Sequence, residues 1–105
     1  MKGIAFLSGL LGVLITFGNL PLKAQVNSDG TTNTTVNLSN NNFNILNGIQ
    51  KGNNLFHSFK EFSIPTGGSA TFNNSTDVAN IINRVTGGNI SNIDGLIKAN
   101  GSANL

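Results

Sequence analysis

From Gln25 onward, apolar residues come singly or in pairs between polar ones, and a helical period never holds for long. Val26, Val36, Leu38, Phe43, Ile45, Leu46 and Ile49 recur through a stretch otherwise rich in Asn, Ser and Thr. Thr34, Val36 and Leu38 alternate with polar neighbours, which is the period of a half-buried strand. The competing reading of this region, with its low-complexity Ser39-Asn40-Asn41-Asn42, is disorder. Turn signals punctuate the rest: Asn47-Gly48, Lys51-Gly52-Asn53, Pro65-Thr66-Gly67-Gly68, Gly87-Gly88-Asn89, Asp94-Gly95 and Asn100-Gly101. One helical exception is predicted. Val78, Ile81, Ile82 and Val85 fit one or two helical turns capped by Ser75, Thr76 or Asp77. Everything else in this part of the chain reads as all-β.

The aromatic residues concentrate in one segment. Phe56, Phe59 and Phe62 fall within Asn54 to Gly68 and place a large apolar payload where a core can start. Burial is the commoner fate of Phe. Recognition by a partner is the alternative for the same residues.

The first 24 residues have a different character. Met1-Lys2-Gly3 is a short basic start, an apolar run extends from Ile4 to Phe17, and Gly18-Asn19-Leu20-Pro21 breaks any helix there. Leu22-Lys23-Ala24 offers a small residue for cleavage, so residues 1–24 read as a helical signal peptide cut between Ala24 and Gln25. An uncleaved anchor or a core helix is the other reading, but the run is shorter than the roughly 18–20 residues a spanning helix needs. No Cys follows it, which excludes a lipoprotein. Export through the inner membrane is the expectation.

Composition narrows the function classes. The 105 residues contain no Cys, so neither a disulfide framework nor a thiolate metal site can form. One small domain, residues 25–105, is the most that fits. Without Lys2 and Lys23, the basic residues Lys51, Lys60, Arg84 and Lys98 balance the acids Asp29, Glu61, Asp77 and Asp94. Such a surface is a poor phosphate binder, and no nucleic-acid partner is expected.

A repeat suggests how short strands are arranged. Thr66-Gly67-Gly68 recurs as Thr86-Gly87-Gly88, 20 residues on, and both copies lead from a Gly turn into a short strand and an Asn/Asp turn. A period of about 20 suits the coil of a β-solenoid, in about three or four coils, with a hairpin meander as the alternative. Asn suits stacked coils because its amide both donates and accepts and can form ladders. The chain stops in an apolar strand, Ser102-Ala103-Asn104-Leu105, which reads as an incomplete C-terminus.

Several ordered blocks carry a family resemblance. They are Asn54-Leu55-Phe56-His57-Ser58-Phe59 with Phe62-Ser63-Ile64-Pro65-Thr66-Gly67, then Phe72-Asn73-Asn74, Asn80 to Gly88, and Ile93 to Leu105. Together they resemble the N-terminal domain of filamentous haemagglutinin-like exoproteins, the two-partner secretion or haemagglutination activity domain. The resemblance implies a right-handed parallel β-helix. It also implies recognition in the periplasm by the soluble modules of an outer-membrane β-barrel transporter, and delivery of an adhesive passenger to the cell surface or beyond. Family members continue past the position of Leu105, so this chain reads as a truncated domain. Other readings are a small exported self-assembling Asn-rich protein, or a non-functional gene fragment.

For transporter recognition, strand addition with apolar side chains in pockets suits a neutral extended chain. The candidate residues are Asn54, Phe56, His57, Phe59, Lys60 and Phe62. No cofactor, metal or small-molecule substrate is expected. His57 is the lone His and lacks convergent ligands. Catalysis is not expected either: Glu61, Asp77 and Asp94 are scattered, and charge pairing, capping and turn formation account for them. Gly67-Gly68 and Gly87-Gly88 lack the Lys-Ser/Thr of a phosphate loop and read as turns needing positive φ.

Overall fold

The computed structural model describes residues 25–105, so the signal-peptide reading of residues 1–24 lies outside the described residues. Eight strands follow in order: β1 Val26–Ser28, β2 Thr34–Ser39, β3 Asn42–Asn47, β4 Ile49–Lys51, β5 Asn54–Phe62, β6 Ser69–Phe72, β7 Asn80–Val85 and β8 Leu96–Ala99. They form two four-stranded sheets. In one, β5 carries β1, β4 and β7; the other runs β2-β3-β6-β8. The all-β expectation holds among the described residues.

Antiparallel pairing dominates the N-terminal part. β2 and β3 form a hairpin from Thr34↔Asn47 to Ser39↔Asn42. Its two-residue loop is Asn40-Asn41, with φ of 49° and 66°. Two successive positive φ angles define the hairpin turn that matches strand twist, and Asn tolerates that region better than other side chains. The low-complexity Asn run is therefore a tight turn, and the strand reading of Thr34–Leu38 replaces disorder. β4 and β5 form a second hairpin, Lys51↔Asn54, around Gly52 at φ 64°.

The C-terminal part stacks in parallel. β7 pairs with β5 from Asn54↔Asn80 to Phe59↔Val85, a step of 26 residues. β6 pairs with β3 at Asn42↔Ser69 and β8 pairs with β6 at Ser69↔Leu96, each a step of 27. Two parallel bridges, Ile64↔Ile93 and Asn80↔Asn104, extend the pattern. The 20-residue period expected from the two Thr-Gly-Gly copies is thus overturned. Thr86 and Gly87 stack on Phe59 and Lys60 through Thr86 N–H to Phe59 O (2.7 Å) and Gly87 N–H to Lys60 O (3.0 Å). Gly68 instead accepts from the N–H of Leu96 (3.1 Å). The two copies occupy different corners of the fold.

The predicted helical turn at Asp77–Val85 is also corrected. Ser75 to Val78 makes one turn, closed by Val78 N–H to Ser75 O (3.2 Å) and by Ser75 Oγ to Asp77 Oδ1 (2.5 Å). Asn80–Val85 is then a strand, because β5 offers six residues of parallel ladder. The spacing of buried Val78 and Ile81 reflects that turn entering a strand, not a helix face.

The core lies between the two sheets. Phe59 and Phe62 of β5 meet Phe72 of β6: Phe59–Phe62 is edge-on at 5.0 Å, and Phe62–Phe72 is stacked at 6.4 Å. Ile45, Ile64, Ala70, Val78 and Ile81 complete the cluster with Val26, Phe43 and Leu55. Each large side chain fully buried here contributes about 1.5–3 kcal/mol.

Candidate functional site

β5 carries all six candidate residues, and one irregularity in it decides which of them partners can reach. Leu55, His57 and Phe59 point inward and are buried, while Phe56 is only half-buried. Strict alternation would next turn Glu61 inward. Instead, β1 pairs Ser28 with Phe59 but Asn27 with Glu61, so β5 holds one extra residue at Lys60. This β-bulge resets the alternation and brings Phe62 into the core. The three Phe residues, evenly spaced in sequence, therefore divide: Phe59 and Phe62 are core and Phe56 is on the outside.

His57 is 2 % exposed and stacks at 5.8 Å on Phe59 and 5.3 Å, tilted, on Phe72. Its Nδ1 is 2.8 Å from Thr34 Oγ1, which is 2.7 Å from Thr32 Oγ1; the N–H of Ser58 donates to Thr32 Oγ1 at 2.9 Å. This chain of hydroxyls fastens the β1–β2 loop and β2 onto β5. Nε2 is buried without a partner. Desolvation pushes the imidazole down to about 4, so it is neutral at physiological pH.

The outer side of β5 is a surface of ordered rows. Asn54 and Asn80 are register partners, joined by Asn80 Nδ2 to Asn54 Oδ1 at 3.0 Å. Asn104 Nδ2 continues to Asn80 Oδ1 at 3.2 Å. The expected Asn ladder is present; on the other sheet Asn100 Nδ2 donates to Asn73 Oδ1 at 2.9 Å, and the Asn100 backbone N–H donates to Asn74 Oδ1 at 3.0 Å. Next to Asn54, Ile49, Phe56 and Ile82 align across β4, β5 and β7. Beyond them, Arg84 donates from Nε to Ser58 Oγ at 3.1 Å, and Ser58 donates to Asp29 Oδ2 at 2.6 Å. Asp29 also accepts from Thr31 Oγ1 (2.7 Å) and Thr86 Oγ1 (2.8 Å). The hydroxyls of Ser58, Thr31 and Thr86 hold its carboxyl well below the usual carboxylate range.

Of the candidates, Asn54, Phe56 and the exposed Lys60 are accessible; His57, Phe59 and Phe62 are not. Asp29, Ser58, Ile82 and Arg84 went unnoticed as site residues in the sequence. Ile82 and Arg84 meet Phe56 and Ser58 through the 26-residue parallel register, and Asp29 meets Ser58 where β1 runs antiparallel to β5; no local motif signals either pairing.

The sequence model of the TPS secretion domain matches residues 24–105. The chain belongs to this family, the two-partner secretion or haemagglutination activity domain. It is a non-enzymatic domain that directs export of an exoprotein through a partner outer-membrane transporter. No curated protein and no solved structure gives a match.

Proposed function

We propose that this chain is the part of an adhesin-type exoprotein that the soluble periplasmic modules of its transporter recognise before passage to the cell surface. Residues 1–24 direct the chain across the inner membrane and are removed between Ala24 and Gln25. The two parallel stacks are rungs of a right-handed parallel β-helix. The observation that carries this reading is the constant 26–27-residue step shared by β5–β7, β3–β6 and β6–β8. The right hand follows from the strong preference of parallel crossover connections for it. Recognition uses the folded outer surface around Asn54, Phe56 and Lys60, while His57, Phe59 and Phe62 act by holding that surface in shape.

The test is export itself. Cells making the chain with its partner transporter release it, with Gln25 as its first residue, and cells without the transporter retain it in the periplasm. Equal release by both sinks the reading.

A further inference from the structure

Asp29-Gly30-Thr31-Thr32-Asn33 connects β1 to β2 as a strap against β5, and none of its side chains is a large apolar one. With so little apolar surface to bury, it is held mainly by hydrogen bonds. The Asp29 N–H donates to Ser58 O at 3.2 Å, and the Ser58 N–H donates to Thr32 Oγ1 at 2.9 Å. Thr32 Oγ1 passes the contact to Thr34 Oγ1 at 2.7 Å, and Thr34 passes it to His57 Nδ1 at 2.8 Å.

Counting donors assigns the tautomer of His57. If Thr34 donates to a bare Nδ1, Thr32 can donate to Thr34 while accepting from Ser58, and both hydroxyls are satisfied. If Nδ1 carried the proton, the chain would reverse and the Thr32 hydroxyl would lose its acceptor. The closed strap therefore holds the Nε2–H form, with that group buried and without a partner. An imidazolium donates from both nitrogens. It would reverse the chain, orphan the Thr32 proton and bury a positive charge at Nε2. The ring has no room to shift away. Phe59 and Phe72 lie against it at 5.8 Å and 5.3 Å, and a methyl group at Gly48 would come within 2.8 Å of its Cε1. The strap is the polar side of this enclosure, and Thr32, His57 and Ser58 already border a pocket of about 210 Å³.

Charge around His57 is sparse. Of the elements that touch it, β2 and β6 contain no charged residue, and β7 places Asn83 opposite it. Lys51 of β4 pairs with Asn54, and Lys60 and Glu61 follow Phe59 on β5 itself. The strap brings Asp29 and β7 brings Arg84. Both bond the Ser58 hydroxyl, where their charges offset one another, and neither bonds the imidazole.

We infer that residues 29–33 form an acid-released strap: protonation of His57 breaks the hydroxyl chain, the strap lifts from β5 and the imidazole meets water, while the two sheets stay paired. This inference is independent of the secretion reading. Opening takes up a proton, because the closed strap holds His57 at about 4 and exposure returns it toward 6.5. Opening therefore becomes easier as pH falls from 6.5 toward 4. Hydroxyls hold the Asp29 carboxyl well below the usual range, so Asp29 stays ionised in that window and does not supply the switch.

The experiment is amide hydrogen exchange of the full chain by NMR at pH 7 and pH 5, with and without low urea. Protection of the Ser58 and Asp29 amides is expected to fall about tenfold or more from pH 7 to pH 5. Low urea leaves it unchanged, since lifting the strap exposes little surface. Asn73, whose N–H donates to Ile45 O at 2.8 Å on the other sheet, stays better protected at both pH values. In His57→Phe the pH effect at Ser58 disappears. Ser58 and Asp29 amides as protected as Asn73 at pH 5, or equally sensitive to urea, would show that the strap opens only with the whole domain, and the inference fails. A full pH effect in folded His57→Phe overturns it too. The parent measurements decide the matter on their own if that variant does not fold.

Discussion

Asn54 and Asn80 lie side by side on parallel strands, 26 residues apart in sequence, and their side-chain amides are hydrogen-bonded at 3.0 Å. Asn104 adds a third member at 3.2 Å from Asn80. Each amide donates to the Asn one rung earlier in the chain, so the middle residue takes part in two bonds. Such a ladder favours one register over its neighbours, because a slip of one residue would put Ile81 opposite Asn54 and turn the apolar set outward.

Asn80→Ala should therefore cost about 1–2 kcal/mol, the net worth of two side-chain hydrogen bonds. Urea denaturation of the full chain measures it. Asn89→Ala, at an exposed turn position, should change the midpoint little. Equal effects from the two would mean that the ladder does not stabilise the fold.

Phe59 and Phe56 should behave differently despite lying three residues apart. Phe59 is fully buried among Phe62, Phe72 and His57, and Phe59→Ala should destabilise by about 3–5 kcal/mol. Phe56→Ala removes a half-buried outer side chain and should cost clearly less, while weakening the transporter interaction in a domain that still folds. Circular dichroism melts paired with a binding assay separate the two. A Phe59→Ala chain that melts like the parent would contradict its place in the core.

Part of the strand pattern was legible in the sequence. Thr34, Val36 and Leu38 alternate as a strand does, whereas Asn40-Asn41 reads as part of a low-complexity run, and only its two positive φ angles reveal it as the tight turn of a hairpin. The inner and outer assignment of the Phe residues was not legible, since it depends on one extra residue at Lys60 that appears only when β5 is paired with β1. The repeat misled for a similar reason. Thr66-Gly67-Gly68 and Thr86-Gly87-Gly88 look alike, yet they sit at different corners, and the true step relates dissimilar residues such as Ser58 and Arg84. Long-range register brought together Asp29, Ser58, Arg84 and Thr86, and nothing local in the chain encodes it.

His57 gives the stability a defined pH dependence. Its pKa falls from the ordinary 6.5 to about 4 on folding because burial disfavours the cation. Between those values the unfolded chain binds more protons than the folded one, so stability is lost as pH falls below about 6.5 and levels out below about 4. The steepest slope is at most about 1.4 kcal/mol per pH unit. Measuring unfolding free energy between pH 7 and pH 5 keeps the readout above the range in which Asp29 and Asp77 titrate, since their carboxyls are shifted downward. His57→Phe, which keeps a ring beside Phe59 and Phe72, should abolish the slope in that window. A slope unchanged by that substitution would assign it to another group.

Gly87 and Gly88 are adjacent, neither has a positive φ, and only one should resist substitution. This corrects the reading of both Gly pairs as positive-φ turns: of the four residues only Gly67, at φ 81°, is in that region. Gly87 is required for a different reason. A methyl group there would collide with the backbone carbonyl of Lys60, the same carbonyl that accepts the Gly87 N–H at 3.0 Å. That carbonyl belongs to the bulge and is also tied into the rung, so it cannot step aside cheaply. At Gly88 nothing lies within 4 Å of the added atom. Gly87→Ala should lower stability by about 1–3 kcal/mol, as overpacking does. Gly88→Ala should be neutral or stabilise by up to about 1 kcal/mol through reduced freedom of the unfolded chain. Denaturant midpoints of the two variants decide the matter. If Gly87→Ala proves as harmless as Gly88→Ala, the corner does not rest on Lys60, and the 26-residue step between β5 and β7 is not the one the protein adopts in solution.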